Sequence, residues 1–148
     1  AVGVESTIVS LAAEAPVLLR PGGIPRETIE ALIGPLAALH GGLVEAPGML
    51  ASHYAPRAPL RLNASAPEPK EAYLAFGPSP TAHPHTLNLS ERGDVREAAA
   101  NLFAHLRAAD RIVEEHGLRG IAAARIPMDG LGEAINDRLA RAAAAKSR

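Results

Sequence analysis

Residues 46 to 56 read Ala46-Pro47-Gly48-Met49-Leu50-Ala51-Ser52-His53-Tyr54-Ala55-Pro56, and this stretch divides whatever the chain folds into. Pro-Gly at one end and Ala-Pro at the other punctuate it like a linker. A plain tether is rich in Gly/Ser, Pro or charge and needs no large side chains. This one carries Met49, His53 and Tyr54, the last being one of two tyrosines in a chain that is 3% aromatic. A loop furnished in this way is a candidate for packing over something, such as a bound ligand. A lone tyrosine anchoring the loop to a domain surface would read the same.

The stretch before it is short. Residues 1–11 are rich in β-branched side chains and predict a strand, and Val17-Leu18-Leu19-Arg20 predicts a second, stopped by Pro21-Gly22-Gly23. Pro25 opens a helix at a position that tolerates proline, with Ile29, Leu32 and Ile33 as its apolar face, and Gly34-Pro35 ends it. Two strands and one helix bury little, and domains below about 40 residues usually need disulfides or metals. The chain has no cysteine. Residues 1–36 therefore read as the tail end of a larger domain, and the start at Ala1 without an initiator Met fits that expectation.

Beyond the linker the pattern changes. Leu60-Arg61-Leu62, Ala72-Tyr73-Leu74-Ala75-Phe76 and Thr86-Leu87-Asn88-Leu89 predict short strands, with Pro/Ala/Ser/His-rich loops over 63–71 and 77–85. The spacing predicts a helix over 94–116, with Asp94 as N-cap, Glu97 at the capping-box position and Gly117 after the last turn. Val95, Ala98, Ala99, Leu102, Phe103, Leu106 and Ile112 or Val113 line one face. A strand at 121–124, a Gly130-Leu131-Gly132 turn and a helix over 133–145 complete an α/β layer with at least partly parallel strands.

At 148 residues with 47% hydrophobic residues and a net charge of -1, nothing calls for nucleic acid or an anionic membrane as partner. No run approaches the ~18 apolar residues that span a bilayer. The absence of cysteine rules out disulfides and thiolate metal sites, and a cytoplasmic location is the default expectation.

Three places offer chemistry. Glu5-Ser6-Thr7 puts adjacent hydroxyls at a strand end, where they bond a carboxylate, ammonium or phosphate, or simply face water on an edge strand. Arg20, beside a glycine turn, is placed either to pair with phosphate or as a surface arginine. His53-Tyr54 offers a stacking face and a hydroxyl to a nucleotide. The six histidines have no metal-ligand spacing, His83-Pro84-His85 reads as an incidental loop pair, and Gly130-Leu131-Gly132 reads as a packing turn. Asn136, Asp137 and Arg138 read as local capping or pairing groups.

In order, these stretches resemble the C-terminal portion of the two-domain threonylcarbamoyl-AMP synthases. Gly3-Val4-Glu5-Ser6-Thr7-Ile8-Val9 and Leu19-Arg20-Pro21-Gly22 look like the end of that family's YrdC-like domain, and Pro47-Gly48-Met49 with His53-Tyr54-Ala55-Pro56 looks like its interdomain linker. Asn88-Leu89-Ser90, Ala98 to Phe103, and Gly130-Leu131-Gly132 with Ala134 to Leu139 look like its small C-terminal domain. The resemblance implies an α/β architecture: the incomplete end of a YrdC-like domain (1–36), a linker or lid (37–57) and a small Rossmann-like domain (58–148). It implies synthesis of threonylcarbamoyl-AMP from L-threonine, bicarbonate and ATP, with Mg possible in the parent enzyme and no metal site visible in this chain. The product would pass to proteins of the t6A pathway, with no direct contact to nucleic acid or membrane. Ser6 and Thr7 would lie at the threonine site, and Arg20, His53 and Tyr54 would contact ATP, Tyr54 closing over the nucleotide.

The chain departs from that pattern in three ways. It lacks the basic cluster that binds triphosphate early in the YrdC-like domain, so it is expected to be inactive alone. Only Pro-rich residues 63–71 stand where family members often have a helix, and Ala46 stands where a serine commonly precedes Pro-Gly-Met. A function of another class fits the same residues: a non-catalytic regulatory or nucleotide-binding module that docks on a separate YrdC-like protein.

Overall fold

The computed structural model describes residues 3–38, 55–79 and 82–145. Met49, His53 and Tyr54 lie outside the described residues. The described chain is α/β, with two small sheets and three helices.

The first sheet has the order β1-β2-β3, with β1 at Ile8–Ser10, β2 at Val17–Arg20 and β3 at Ala37–Ala38. β1 and β2 are antiparallel, with Ile8 opposite Arg20 and a register shift before Val9. Helix α1 (Arg26–Ile33) carries the chain from β2 to β3, which pair in parallel. β3 occupies two residues at the start of the expected linker.

The expected strand over residues 1–11 is reduced to three residues. Gly3 has φ +85, and a Cβ there would overlap the Ala99 carbonyl and the Ala100 Cα of helix α2 (Val95–His116). The segment before β1 is thus pressed onto a helix rather than paired in a ladder, and Val4 packs into the main core. Helix α1 also differs from expectation. None of its residues is buried, and Leu32 and Ile33 are 82% and 49% exposed.

The second sheet has the order β4-β7-β5-β6, all parallel, with β4 at Leu60–Ala64, β5 at Glu71–Ala75, β6 at Thr86–Asn88 and β7 at Gly120–Ala124. All five residues of β5 are buried, as befits an inner strand of a parallel sheet. α2 and α3 (Gly132–Ala144) pack with the sheet around one core. Ala72, Leu74, Ile121 and Ala123 from the strands meet Leu102, Leu106 and Ala109 from α2 and Ile135 and Leu139 from α3. Tyr73, Ala64, Ala75 and Ala122 form a smaller cluster of their own.

No helix lies between β4 and β5. A turn there closes on Glu71, whose carboxylate accepts from Arg61 Nη2 at 2.7 Å, Arg61 Nε at 3.1 Å and the Glu68 amide at 2.8 Å. The Arg61 hydrogen bond is the main cause holding the Glu71 carboxyl below its ordinary pKa, against the opposing effect of burial.

α2 starts as expected, with Asp94 accepting from the Arg96 amide at 2.8 Å, and ends at Gly117 in the left-handed region. The reciprocal half of the capping box is replaced. The Asp94 amide donates to Ser90 Oγ at 2.9 Å, while Glu97 turns to Arg92 at 3.3 Å. Among the described residues no helix is long and apolar enough to cross a membrane.

Candidate functional site

The turn before β1 brings three of the expected site residues together. Arg20 ends β2 opposite Ile8, so its side chain reaches back along the neighbouring strand. Its Nε and Nη2 donate to the Ser6 carbonyl at 3.1 and 2.7 Å, and it is 7% exposed. Burial, and then the neighbouring Arg138, lower the Arg20 pKa, while Glu5 opposes that shift. Thr7 Oγ1 donates to the Ile24 carbonyl at 2.7 Å and accepts from the Ile24 amide at 3.1 Å, tying the turn to the residues after Pro21-Gly22-Gly23. Gly22 is required there, because a Cβ would run into the backbone of residues 5–7.

Ser6 is the exposed member of the group. Its backbone is clamped, since its carbonyl accepts from Arg20, and among the described residues its hydroxyl has no hydrogen-bond partner. A fixed backbone with an open hydroxyl suits recognition of a small polar molecule. Thr7 spends its hydroxyl on the turn itself. Arg20 engages two of its nitrogens there, leaving Nη1 facing Glu5 at 3.9 Å. His53 and Tyr54 fall outside the described residues.

The turn is held from the other side by residues that sequence reasoning took to be local. Arg138 on α3 donates from Nε to Glu5 Oε2 at 2.9 Å, from Nη1 to the Pro21 carbonyl at 2.9 Å and from Nη1 to Asp137 at 2.6 Å. Arg141 Nε also binds Asp137 Oδ2, at 2.9 Å. A signal was present in the sequence. Arg138 sits three residues after Ile135 and one before Leu139, on the apolar side of the helix, where a solvated arginine has no place. A second cross-link joins Arg26 at the start of α1 to Glu133, with Nη2 to Oε2 at 2.9 Å, and this hydrogen bond is the main cause raising the Arg26 pKa. A cleft of about 320 Å³ lies beside it, lined by Leu18, Pro21 and Ala38 on one side and by Met128, Asn136 and Asp137 on the other.

The carboxyl ends of the parallel strands, where open α/β sheets commonly bind ligands, hold two crevices. One of about 540 Å³ is lined by Ser79, Thr86, Asn88 and Glu91, and one of about 450 Å³ by Asn63, Arg125 and Asn136 among apolar groups. Among the described residues no three His, Asp or Glu side chains cluster to hold a metal.

Fold and turn together define an α/β chain with a Rossmann-like parallel sheet, whose last helix binds the turn before β1 and the start of α1. Residues 24–144 match the family described as "Threonylcarbamoyl-AMP synthase, C-terminal domain", and the chain belongs to that family. It is 36% identical over 163 aligned residues to the threonylcarbamoyl-AMP synthase of Bacillus subtilis (strain 168), covering 96% of this chain and 46% of the relative. The namesake from Pyrococcus abyssi (strain GE5 / Orsay) is 36% identical over 160 residues, with 95% and 46% covered. Among solved structures, P. abyssi Sua5 complexed with L-threonine superposes with a TM-score of 0.74 at 32% identity, covering 97% of this chain and 46% of that one. A P. abyssi Sua5 variant with neighbouring histidine and tyrosine replaced by alanine gives 0.69 at 29% identity, with the same coverage. The chain thus spans about half the length of the curated relatives it matches.

Proposed function

We propose that these residues act as the C-terminal portion of an enzyme that makes threonylcarbamoyl-AMP. In this reading L-threonine and bicarbonate combine to a carbamate with loss of water. A carbamate oxygen then displaces pyrophosphate from the α-phosphorus of ATP, an adenylyl transfer in the cytoplasm that feeds t6A formation in tRNA. The observation that carries the reading is identity of 36% to a synthase spread over 96% of the chain. Residues 1–36 then belong to the catalytic domain, 37–57 to a linker that closes over it, and 58–148 to the small domain. The side chains of Leu11, Ile24, Leu32 and Ile33, all in the first unit and 49–82% exposed, support this division. They are apolar surface of the kind a neighbouring domain covers.

Ser6, with its open hydroxyl on a clamped turn, contacts L-threonine, and Thr7 shapes that contact by holding the turn. Arg20 meets an ATP phosphate through Nη1, the nitrogen not taken by Ser6. His53 and Tyr54 close over the nucleotide. The solved P. abyssi variant lacking a neighbouring His-Tyr pair supports giving them a role. The chain alone does not turn over, because the cationic cluster for the triphosphate is not among its residues.

The test measures pyrophosphate release from ATP, dependent on L-threonine and bicarbonate. One sample is this chain alone, and the second is this chain joined to the N-terminal half of the B. subtilis synthase, with the intact B. subtilis enzyme as control. Release by the joined protein and none by the chain alone is expected. Turnover by the chain alone overturns the inactivity, and a silent joined protein beside an active control overturns the assignment.

A further inference from the structure

The last helix of the small domain reaches the turn that presents Ser6, and it does so through a contact that is a poor choice for stability alone. Arg138 is a 4% exposed side chain that bonds Glu5, Pro21 and Asp137 at once. Among the described residues, Glu5 Oε1 and Arg138 Nη2 are nonetheless buried without a hydrogen-bond partner. Burying charges and leaving some of their valences unmet costs more than filling the same space with apolar groups. An apolar contact would be non-directional. The guanidinium, in contrast, fixes two points in fixed geometry, the Glu5 carboxylate and the Pro21 carbonyl.

The groups on either side of Ser6 are held accordingly. Glu5 Oε2 lies between Arg138 Nε at 2.9 Å and Arg20 Nη1 at 3.9 Å. The Glu5 carbonyl accepts from the Gly23 amide at 2.9 Å, and the Ser6 carbonyl accepts from Arg20. Asp137 braces both Arg138 and Arg141 from the helix. The Arg26–Glu133 pair, at 2.9 Å, makes a second tie between α3 and α1. Arg138 and Glu5 thus form a continuous link from α3 to the backbone beside Ser6.

We infer that Arg138 is a positioning residue for the threonine contact: through Glu5 it sets where Ser6 stands and so couples the small domain to the affinity for L-threonine. This rests on the reading of Ser6 given under Proposed function, but the position of the turn is measurable without it.

Two variants are compared with the unaltered sequence. Arg138→Gln removes the charge on the helix. Glu5→Gln removes it on the turn, where the side chain is 30% exposed and folding is least at risk. In the chain itself, amide exchange at Gly23 is expected to quicken in both variants. In the joined synthase, KM for L-threonine is expected to rise roughly 5- to 10-fold, a size typical of coupling between sites. KM for ATP should stay within about twofold. The double variant should be no worse than the poorer single one, because both break one link. A loss of folded protein alone would lower kcat and leave KM unchanged. Lower kcat with unchanged KM for threonine therefore overturns the inference, as does an equal rise in both KM values. If the joined protein is silent with the native residues, the functional reading has failed. Unchanged exchange at Gly23 would then overturn the coupling separately.

Discussion

Replacing Gly3 by alanine tests whether the segment before β1 is seated on helix α2 as described. The glycine has φ +85, where an L side chain costs roughly 1–2 kcal/mol. A Cβ would also overlap backbone atoms of Ala99 and Ala100, inside a 22-residue helix whose Ala99 is fully buried. That backbone cannot yield cheaply, so the expected response is release of the residues before β1. Release forfeits the charge-assisted bond from Arg138 to Glu5, about 1.5–3 kcal/mol, and part of the burial of Val4, about 1 kcal/mol. The sum is roughly 3 kcal/mol, or about two orders of magnitude in the local opening equilibrium. Gly117→Ala is the matched control. It also has positive φ, +59, but nothing lies within 4 Å of its Cβ, so it carries the backbone cost alone. Native-state amide exchange reads the difference at Gly23, whose amide is bonded to the Glu5 carbonyl, and at Ile24, bonded to Thr7. Gly3→Ala should accelerate both, by up to about 100-fold. Gly117→Ala should change neither relative to the rest of the chain. Equal protection of Gly23 and Ile24 in the two variants would refute the seating.

Two other outcomes are expected. The depressed pKa of Glu71 means that its stabilisation is complete above the unfolded glutamate pKa of about 4.3 and is lost as pH falls through the lower folded value. Urea midpoints measured from neutral pH to about pH 3 should show an acid loss that Arg61→Gln flattens, and parallel curves would count against that pairing. In α2, Asp94→Ala should cost about 1 kcal/mol in chemical denaturation. Glu97→Ala should cost under about 0.5 kcal/mol, because the Asp94 amide is bonded to Ser90 rather than to Glu97. A larger effect at Glu97 would restore the full capping box.

Much of the local structure was legible because it depends on neighbours in sequence. Asp94, Gly117 and the apolar repeat between them marked α2 to within a residue, and the run around Leu74 marked β5. What stayed hidden depends on partners far along the chain. Residues 1–11 have the composition of a strand, yet Gly3 is claimed by α2, about 96 residues away by direct numbering. Ile29, Leu32 and Ile33 have helical spacing but find no described core to enter. For the candidate site, the hydroxyls of Ser6 and Thr7 and the guanidinium of Arg20 were visible as chemistry. That Arg20 turns back onto Ser6 follows from strand register, and that Arg138 reaches Glu5 follows from tertiary docking. Neither is written in spacing.

The strand order β4-β7-β5-β6 has a consequence for the birth of the protein. β4 and β5 never pair with each other, and the strand between them is the last of the sheet to be made. During synthesis the ribosome releases β4, β5, β6 and the whole of α2 before the sheet can close. Until residues 120–124 emerge, Ile121 and Ala123 are missing from the core, and the inner edges of β4 and β5 are open to pairing with other chains. Nascent chains that stall or are cut before Gly120 should therefore be aggregation-prone clients of chaperones. Emergence of β7 decides between folding and loss.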